Sequence, residues 1–129
     1  MADLDHTITK ILLVEDDERL AHLIARYLER YGLKVVVCSS ARDHINDALR
    51  VAYDCVVLDA HRDGITVCRE VRSVSNAVVV VICDGCNEDV RAWFVAWADD
   101  FIPMPFSPRE LLARINASVL RARGASAQR

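Results

Sequence analysis

The chain has 129 residues, 53% of them hydrophobic, which suffices for one buried core and argues against a second domain. Sixteen basic against nineteen acidic residues leave a net charge of −3, so bulk electrostatics do not draw it to nucleic acid. No apolar run reaches the roughly 20 residues of a membrane span, residues 1–10 lack the regions of a secretory signal, and five cysteines, an odd count, argue against a disulfide framework; the expectation is a cytoplasmic protein with no membrane contact.

In chain order, Ile11-Leu12-Leu13-Val14 is a continuous branched apolar run, as in a strand buried on both faces, and Glu15-Asp16-Asp17 follow it directly. A helix over Glu18–Arg30 puts Leu20, Leu23, Ile24, Tyr27 and Leu28 on one stripe, with Gly32 as its left-handed stop. The second strand is Lys34–Cys38. Ser39 or Ser40 caps a weaker second helix to residue 49 that turns Ile45, Ala48 and Leu49 inward. The third strand, residues 55–58, ends against Asp59. After Gly64 a third helix carries Ile65, Val67, Cys68 and Val71, and residues 77–82 form the fourth strand, ending against Cys83 and Asp84. The fourth helix, about residues 87–97, is apolar almost throughout, and the fifth strand is short, residues 100–102. Ser107-Pro108-Arg109-Glu110 starts the last helix with cap, first-position proline and capping-box glutamate in sequence. Residues 1–121 form the domain, and 122–129 read as a disordered tail or the start of a linker.

Five strand-helix units alternating in this way cover a parallel sheet on both faces. Ligands in such sheets gather outside the carboxyl ends of the strands, so Glu15, Asp16 and Asp59 should converge at one edge. Neighbouring carboxylates repel one another and raise each other's pKa, a cost that a divalent cation offsets. Acids also suit a helix N-terminus, and Asp17 and Glu18 are assigned to that role; capping does not account for Asp59, which follows a different strand.

Val14-Glu15-Asp16-Asp17, Leu58-Asp59, Asp63-Gly64, Ala98-Asp99-Asp100-Phe101-Ile102 and Pro105-Phe106 stand in the order and approximate spacing of a response-regulator receiver domain. The resemblance covers roughly residues 9–121, and residues 106–114 look more narrowly like the OmpR/PhoB type. It implies a flavodoxin-like (βα)5 fold, a three-layer α/β sandwich on a parallel five-stranded sheet in the order 2-1-3-4-5. It further implies Asp59 as phosphoacceptor, and Mg²⁺ held by Asp16, Glu15 through water, Asp59 and the backbone carbonyl of His61. The partners implied are a histidine kinase, a second copy in a homodimer, and DNA only through an output domain outside this chain. A cis Met104-Pro105 bond is also implied.

Three departures qualify the resemblance. Met104 stands where the family carries a lysine, and a thioether cannot replace an ammonium. Cys83 takes the place of a serine or threonine whose hydroxyl would bond the phosphoryl oxygen, and thiols are weak donors. The loop after Asp59 is about four residues shorter than in typical relatives, leaving His61 and Arg62 either as substitute positive charge or as solvated loop residues. Slow, unstable or absent phosphorylation is therefore expected, making this an atypical receiver.

The resemblance places a two-fold dimer on the face of the fourth helix, fifth strand and last helix, with Val90, Arg91, Trp93, Val95, Trp97, Asp99, Asp100, Glu110 and Arg114 as its residues. Phe101 matches the switch aromatic but lacks a hydroxyl. Because the fourth helix has no polar face, one side is expected to pack on the sheet and the other on a partner copy without phosphorylation, although the tryptophans could also simply fill core space.

Two other classes compete. Cys83-Asp84-Gly85-Cys86 is a C-x-x-C after a strand and before a helix, so a thiol redox switch through Cys83 and Cys86 is an alternative; a conventional Mg²⁺-dependent phosphoacceptor is another. Zinc binding would need Cys38, Cys55 or Cys68, whose positions suggest no common cluster. A small enzyme or nucleotide binder lacks a glycine-rich phosphate loop or a nucleophile elbow.

Overall fold

The computed structural model describes residues 9–38, 50–59, 64–85, 87, 88, 91, 92, 95 and 97–127. In chain order they form β1 (Lys10–Val14), α1 (Glu18–Arg30), β2 (Lys34–Cys38), β3 (Cys55–Asp59), α2 (Gly64–Val74), β4 (Val78–Cys83), β5 (Asp100–Pro103) and α3 (Pro108–Ala127). The second helix read from the sequence, residues 39–49, lies outside the described residues. Of the fourth, Glu88, Arg91 and Ala92 are helical, and N–H groups of Arg91 and Val95 bond the carbonyls of Asn87 and Arg91, both at 3.1 Å.

The five strands run parallel in the order β2-β1-β3-β4-β5, as the sequence implied. Period-two alternation divides their side chains between two cores. Ile11, Leu13, Cys55, Val57, Val80 and Ile82 face α1 and α3, where Ile24, Leu28, Leu111 and Ile115 complete one cluster. Leu12, Val14, Val56, Leu58, Val79 and Val81 face α2, with Val67, Cys68 and Val71 against them. Each fully buried Leu, Ile or Val contributes about 1.5–3 kcal/mol relative to exposure, which explains why β1, β3 and β4 are apolar on both sides. The edge strand β2 is different: Val36 and Val37 remain 40% and 45% exposed.

Local chemistry fixes the helix ends. Asp17 Oδ1 accepts the N–H groups of Arg19 at 3.0 Å and Leu20 at 3.2 Å, capping α1. At the other end Leu33 N–H bonds Leu28 O and Gly32 N–H bonds Glu29 O, the paired pattern of a Schellman motif. Gly32 makes this possible with φ of 90°, a left-handed conformation that glycine adopts without a Cβ penalty. Ser107 Oγ accepts Glu110 N–H at 3.1 Å and starts α3.

Residues 122–127 continue α3 to Ala127. A helix already nucleated by Leu111, Ile115 and Val119 propagates through this polar stretch, because adding a residue to an existing helix is far easier than starting one.

Candidate functional site

β1 and β3 pair in register up to Val14 and Leu58, so the next residues, Glu15 and Asp59, stand side by side at the carboxyl edge of the sheet. Glu15 N–H bonds Cys38 O at 3.0 Å, which anchors the start of the loop. Val14, Glu15, Asp16, Leu58, Asp59, Gly64 and Val67 line one small cavity of about 30 Å³. Glu15 is only 7% exposed, whereas Asp16 is exposed. One Glu15 oxygen, Oε2, accepts Asp17 N–H at 3.1 Å; the other, Oε1, is buried with no hydrogen-bond partner among the described residues. The Glu15 carboxyl is held above its ordinary range, chiefly by burial and further by the charges of Asp59 and Asp17, while the Asp17 N–H pulls the other way.

The polar side chains of this cavity are all carboxylates, one with a buried oxygen unpaired among the described residues, and oxygen donors of this kind suit a hard divalent cation such as Mg²⁺, which keeps several waters and uses one or two carboxylates. The residues that would hold it are Glu15, Asp16 and Asp59. His61, the fourth expected contributor, lies outside the described residues.

The positions expected to read a phosphoryl group, Cys83 and Met104, line a cavity of about 470 Å³ together with Arg91, Phe101 and Arg114. Cys83 ends β4 at 5% exposure within the α2-side core. Met104 donates its N–H to Cys83 O at 2.7 Å and packs its half-buried side chain against the core on the other face. The Met104-Pro105 bond is cis. Phe101 is half-buried against the α2-side core, with the Arg91 guanidinium 5.6 Å from its ring centroid.

The expected interface residues divide. Arg91, Val95 and Glu110 are exposed, Val95 at 69%. Trp97 is half-buried against the α2-side core, with the Arg69 guanidinium 5.3 Å from its ring centroid. Asp100 pairs with Arg114 of the same chain at 3.2 Å, and Arg114 also donates to Phe101 O at 3.0 Å. Asp99 is engaged within its own chain by Arg72 and by Val79 N–H at 2.8 Å. Val90 and Trp93 lie outside the described residues.

Arg72 was not singled out by the sequence. It donates from Nε to Trp97 O at 2.5 Å and from Nη1 to Ala77 O at 3.0 Å, and it pairs with Asp99 through Nη2. These bonds tie the end of α2 to the turn before β5. Nothing in a lone arginine near a helix end announces such acceptors, two of which are backbone carbonyls.

Cys38, Cys55, Cys68 and Cys83 form no disulfide among the described residues. Burial pushes the thiols of Cys38 and Cys68 up to about 11, and that of fully buried Cys55 higher still. Cys86 lies outside the described residues.

Residues 11–116 match the response regulator receiver domain family, and the chain belongs to it. It is a signalling domain of two-component systems. Among curated relatives, the transcriptional regulatory protein ResD of Bacillus subtilis (strain 168) is 36% identical over 118 residues, covering 88% of this chain and 49% of that protein. The transcriptional regulatory protein RprY of Bacteroides fragilis (strain YCH46) is 34% identical over 129 residues, covering 96% and 54%. The chain thus spans about half the length of these regulators. The fold is shared with a CheY-like response regulator receiver domain protein from Methanospirillum hungatei JF-1, with TM-score 0.84 and 18% identity, over 92% of this chain and 99% of that one. Among the described residues, no helix is long and apolar enough to cross a membrane.

Proposed function

We propose that this chain is an atypical receiver of a transcriptional regulator, with Asp59 in the phosphoacceptor position but poorly phosphorylated, acting as a homodimer through the fourth helix, β5 and α3. In phosphorylation, an Asp59 oxygen would form a bond to phosphorus while the donor's leaving group departs with the electron pair of the broken P–O or P–N bond. Anion meets anion in that step, so it depends on positive charge and hydrogen-bond donors around the phosphoryl oxygens. Mg²⁺, when bound, would supply part of that charge, with Glu15, Asp16 and Asp59 holding it. The observation that carries the reading is the pair Met104 and Cys83: an uncharged side chain packed on one core and a thiol buried in the other. His61 and Arg62 follow Asp59 in the sequence as local sources of charge, and Arg91 and Arg114 line a cavity with Cys83 and Met104.

DNA contact would belong to a segment outside residues 1–129, in keeping with relatives about twice this length that are named as transcriptional regulators; residues 122–129 would lead toward it. The partner upstream would be a histidine kinase. Incubation with acetyl phosphate and Mg²⁺ followed by intact mass measurement tests the central claim. Little or no adduct is expected, and a stoichiometric adduct abolished by Asp59→Asn would establish the conventional receiver instead. That second reading is favoured by the cavity that Glu15, Asp16 and Asp59 share. The redox reading gains nothing from the raised thiols of Cys38, Cys55 and Cys68.

A further inference from the structure

We propose that the cavity at the amino-terminal edge of the sheet, opposite the acidic site, binds a small amphipathic anion, a carboxylate or phosphate carried on an apolar body. This cavity has a volume of about 740 Å³. Ligand pockets commonly span about 300–1,000 Å³. The acidic cavity, at about 30 Å³, holds no more than an ion or a water or two, so an organic effector does not fit there.

The lining has the two parts that such a ligand needs. Tyr53, Ala77 and Val119 are buried apolar residues forming the floor, while Val51 and Val74 remain 48% and 61% exposed at the sides. An apolar ligand body covering these valines would remove surface from water at about 25 cal/mol per Å². Two guanidinium groups, Arg50 and Arg123, and one carboxylate, Asp54, belong to the lining.

Asp54 does not tie up Arg123 firmly. Its Oδ2 accepts Lys10 N–H at 2.8 Å, whereas Arg123 Nη2 stands 3.4 Å from Oδ1, with side chains 46% and 30% exposed. A pair at that distance and exposure is worth about 0–1 kcal/mol, so an incoming anion competes for the arginine fork on even terms. The fork geometry favours planar carboxylates and phosphates equally. Arg123 and Val119 belong to α3, so occupancy would reach the last helix without involving Asp59.

Titration of the chain with the fluorescent aromatic anion anilinonaphthalene sulfonate tests the site. One saturable site per chain is expected, displaced by phenylbutyrate or phenyl phosphate and not by phenylbutylamine; the first two distinguish a carboxylate ligand from a phosphate one. Ala122→Trp, which fills the cavity from α3, should abolish binding, and Arg50→Ala, on an exposed turn, should weaken it roughly tenfold. Both variants should keep the wild-type urea midpoint; if Ala122→Trp does not fold, Arg50→Ala decides. Non-saturating fluorescence, equal displacement by the amine, or affinity unchanged in Arg50→Ala would overturn the proposal.

Discussion

Arg72 and Asp99 meet at a carboxylate oxygen, Oδ2, that also accepts Val79 N–H at 2.8 Å, so one atom joins α2, the start of β4 and the turn before β5. The two side chains are 28% and 39% exposed, and an ion pair at such exposure is screened and weak by itself. The stronger part is the pair of guanidinium bonds to Trp97 O and Ala77 O, since hydrogen bonds to charged groups contribute about 1.5–3 kcal/mol net when buried and less where water reaches them.

Arg72→Ala is therefore expected to lower stability by about 2–3 kcal/mol, read from the urea midpoint at unchanged slope. Lysine presents a point charge and cannot reach three acceptors at once, so Arg72→Lys should recover less than half of the loss. A loss below about 0.5 kcal/mol in the alanine variant would mean that water replaces these bonds at no cost.

Glu15 carries the pH dependence. Its folded-state pKa is raised above the ordinary 4.5, chiefly by burial. Between that value and the raised one, the folded protein keeps a proton that the unfolded chain has released. Stability is therefore greatest below the window, falls as pH rises through it, and stays lower above it. Glu15→Gln should stabilise the protein at neutral pH by on the order of 1 kcal/mol, because the amide carries no charge and can donate a hydrogen bond where the buried Oε1 has no partner. Below pH 4 the gain should vanish. Millimolar Mg²⁺ should raise the thermal midpoint of the wild type more than that of Glu15→Gln, which differential scanning fluorimetry measures.

The acidic edge was readable in the sequence because its signals are local: a branched apolar run fixes a buried strand, and the residue that follows must leave the sheet at its carboxyl edge. Gly32 and Ser107 were readable for the same reason, since each acts within a few residues. The engagement of Asp99 by Arg72 left no local signal, because the two residues lie 27 positions apart on elements whose packing no local pattern encodes. The extension of α3 past residue 121 carries no apolar stripe to signal it, because helix propagation requires no burial. The large cavity leaves no sequence signature at all, because the segments before β3 and β4 and the last turns of α3 together supply its walls.

Val95 is 69% exposed beside the exposed Arg91 and Ala92, whereas Trp97 is half-buried against the α2-side core. If the proposed dimer forms through this face, Val95→Asp should abolish self-association by desolvating a charge at its centre, with a stability change within about 0.5 kcal/mol for the isolated subunit. Sedimentation velocity at micromolar concentration with unphosphorylated protein provides the measurement. A wild type that sediments as a monomer would remove the dimer, and a dimer indifferent to Val95→Asp would move the interface elsewhere.

The strongest test of the degenerate phosphoacceptor restores what is missing. Met104 lies one residue beyond β5, with its N–H on Cys83 O at 2.7 Å, so the backbone is already fixed between the ends of β4 and β5. Its side chain rests only half-buried on the core, and a lysine there can keep its methylene stem on the apolar surface while extending the ammonium to the carboxyl edge. Cys83→Thr adds a hydroxyl donor on the neighbouring strand, at a small volume change in a buried position that costs about 1–2 kcal/mol. Met104→Lys is expected to speed acetyl-phosphate labelling of Asp59 at least roughly tenfold, and the double variant further, since one well-placed cation on a developing anion contributes more than 1.4 kcal/mol. Labelling should still disappear in Asp59→Asn. If Met104→Lys folds normally and labels no faster, the missing ammonium is not what limits the reaction, and the short loop after Asp59 becomes the cause to test by insertion.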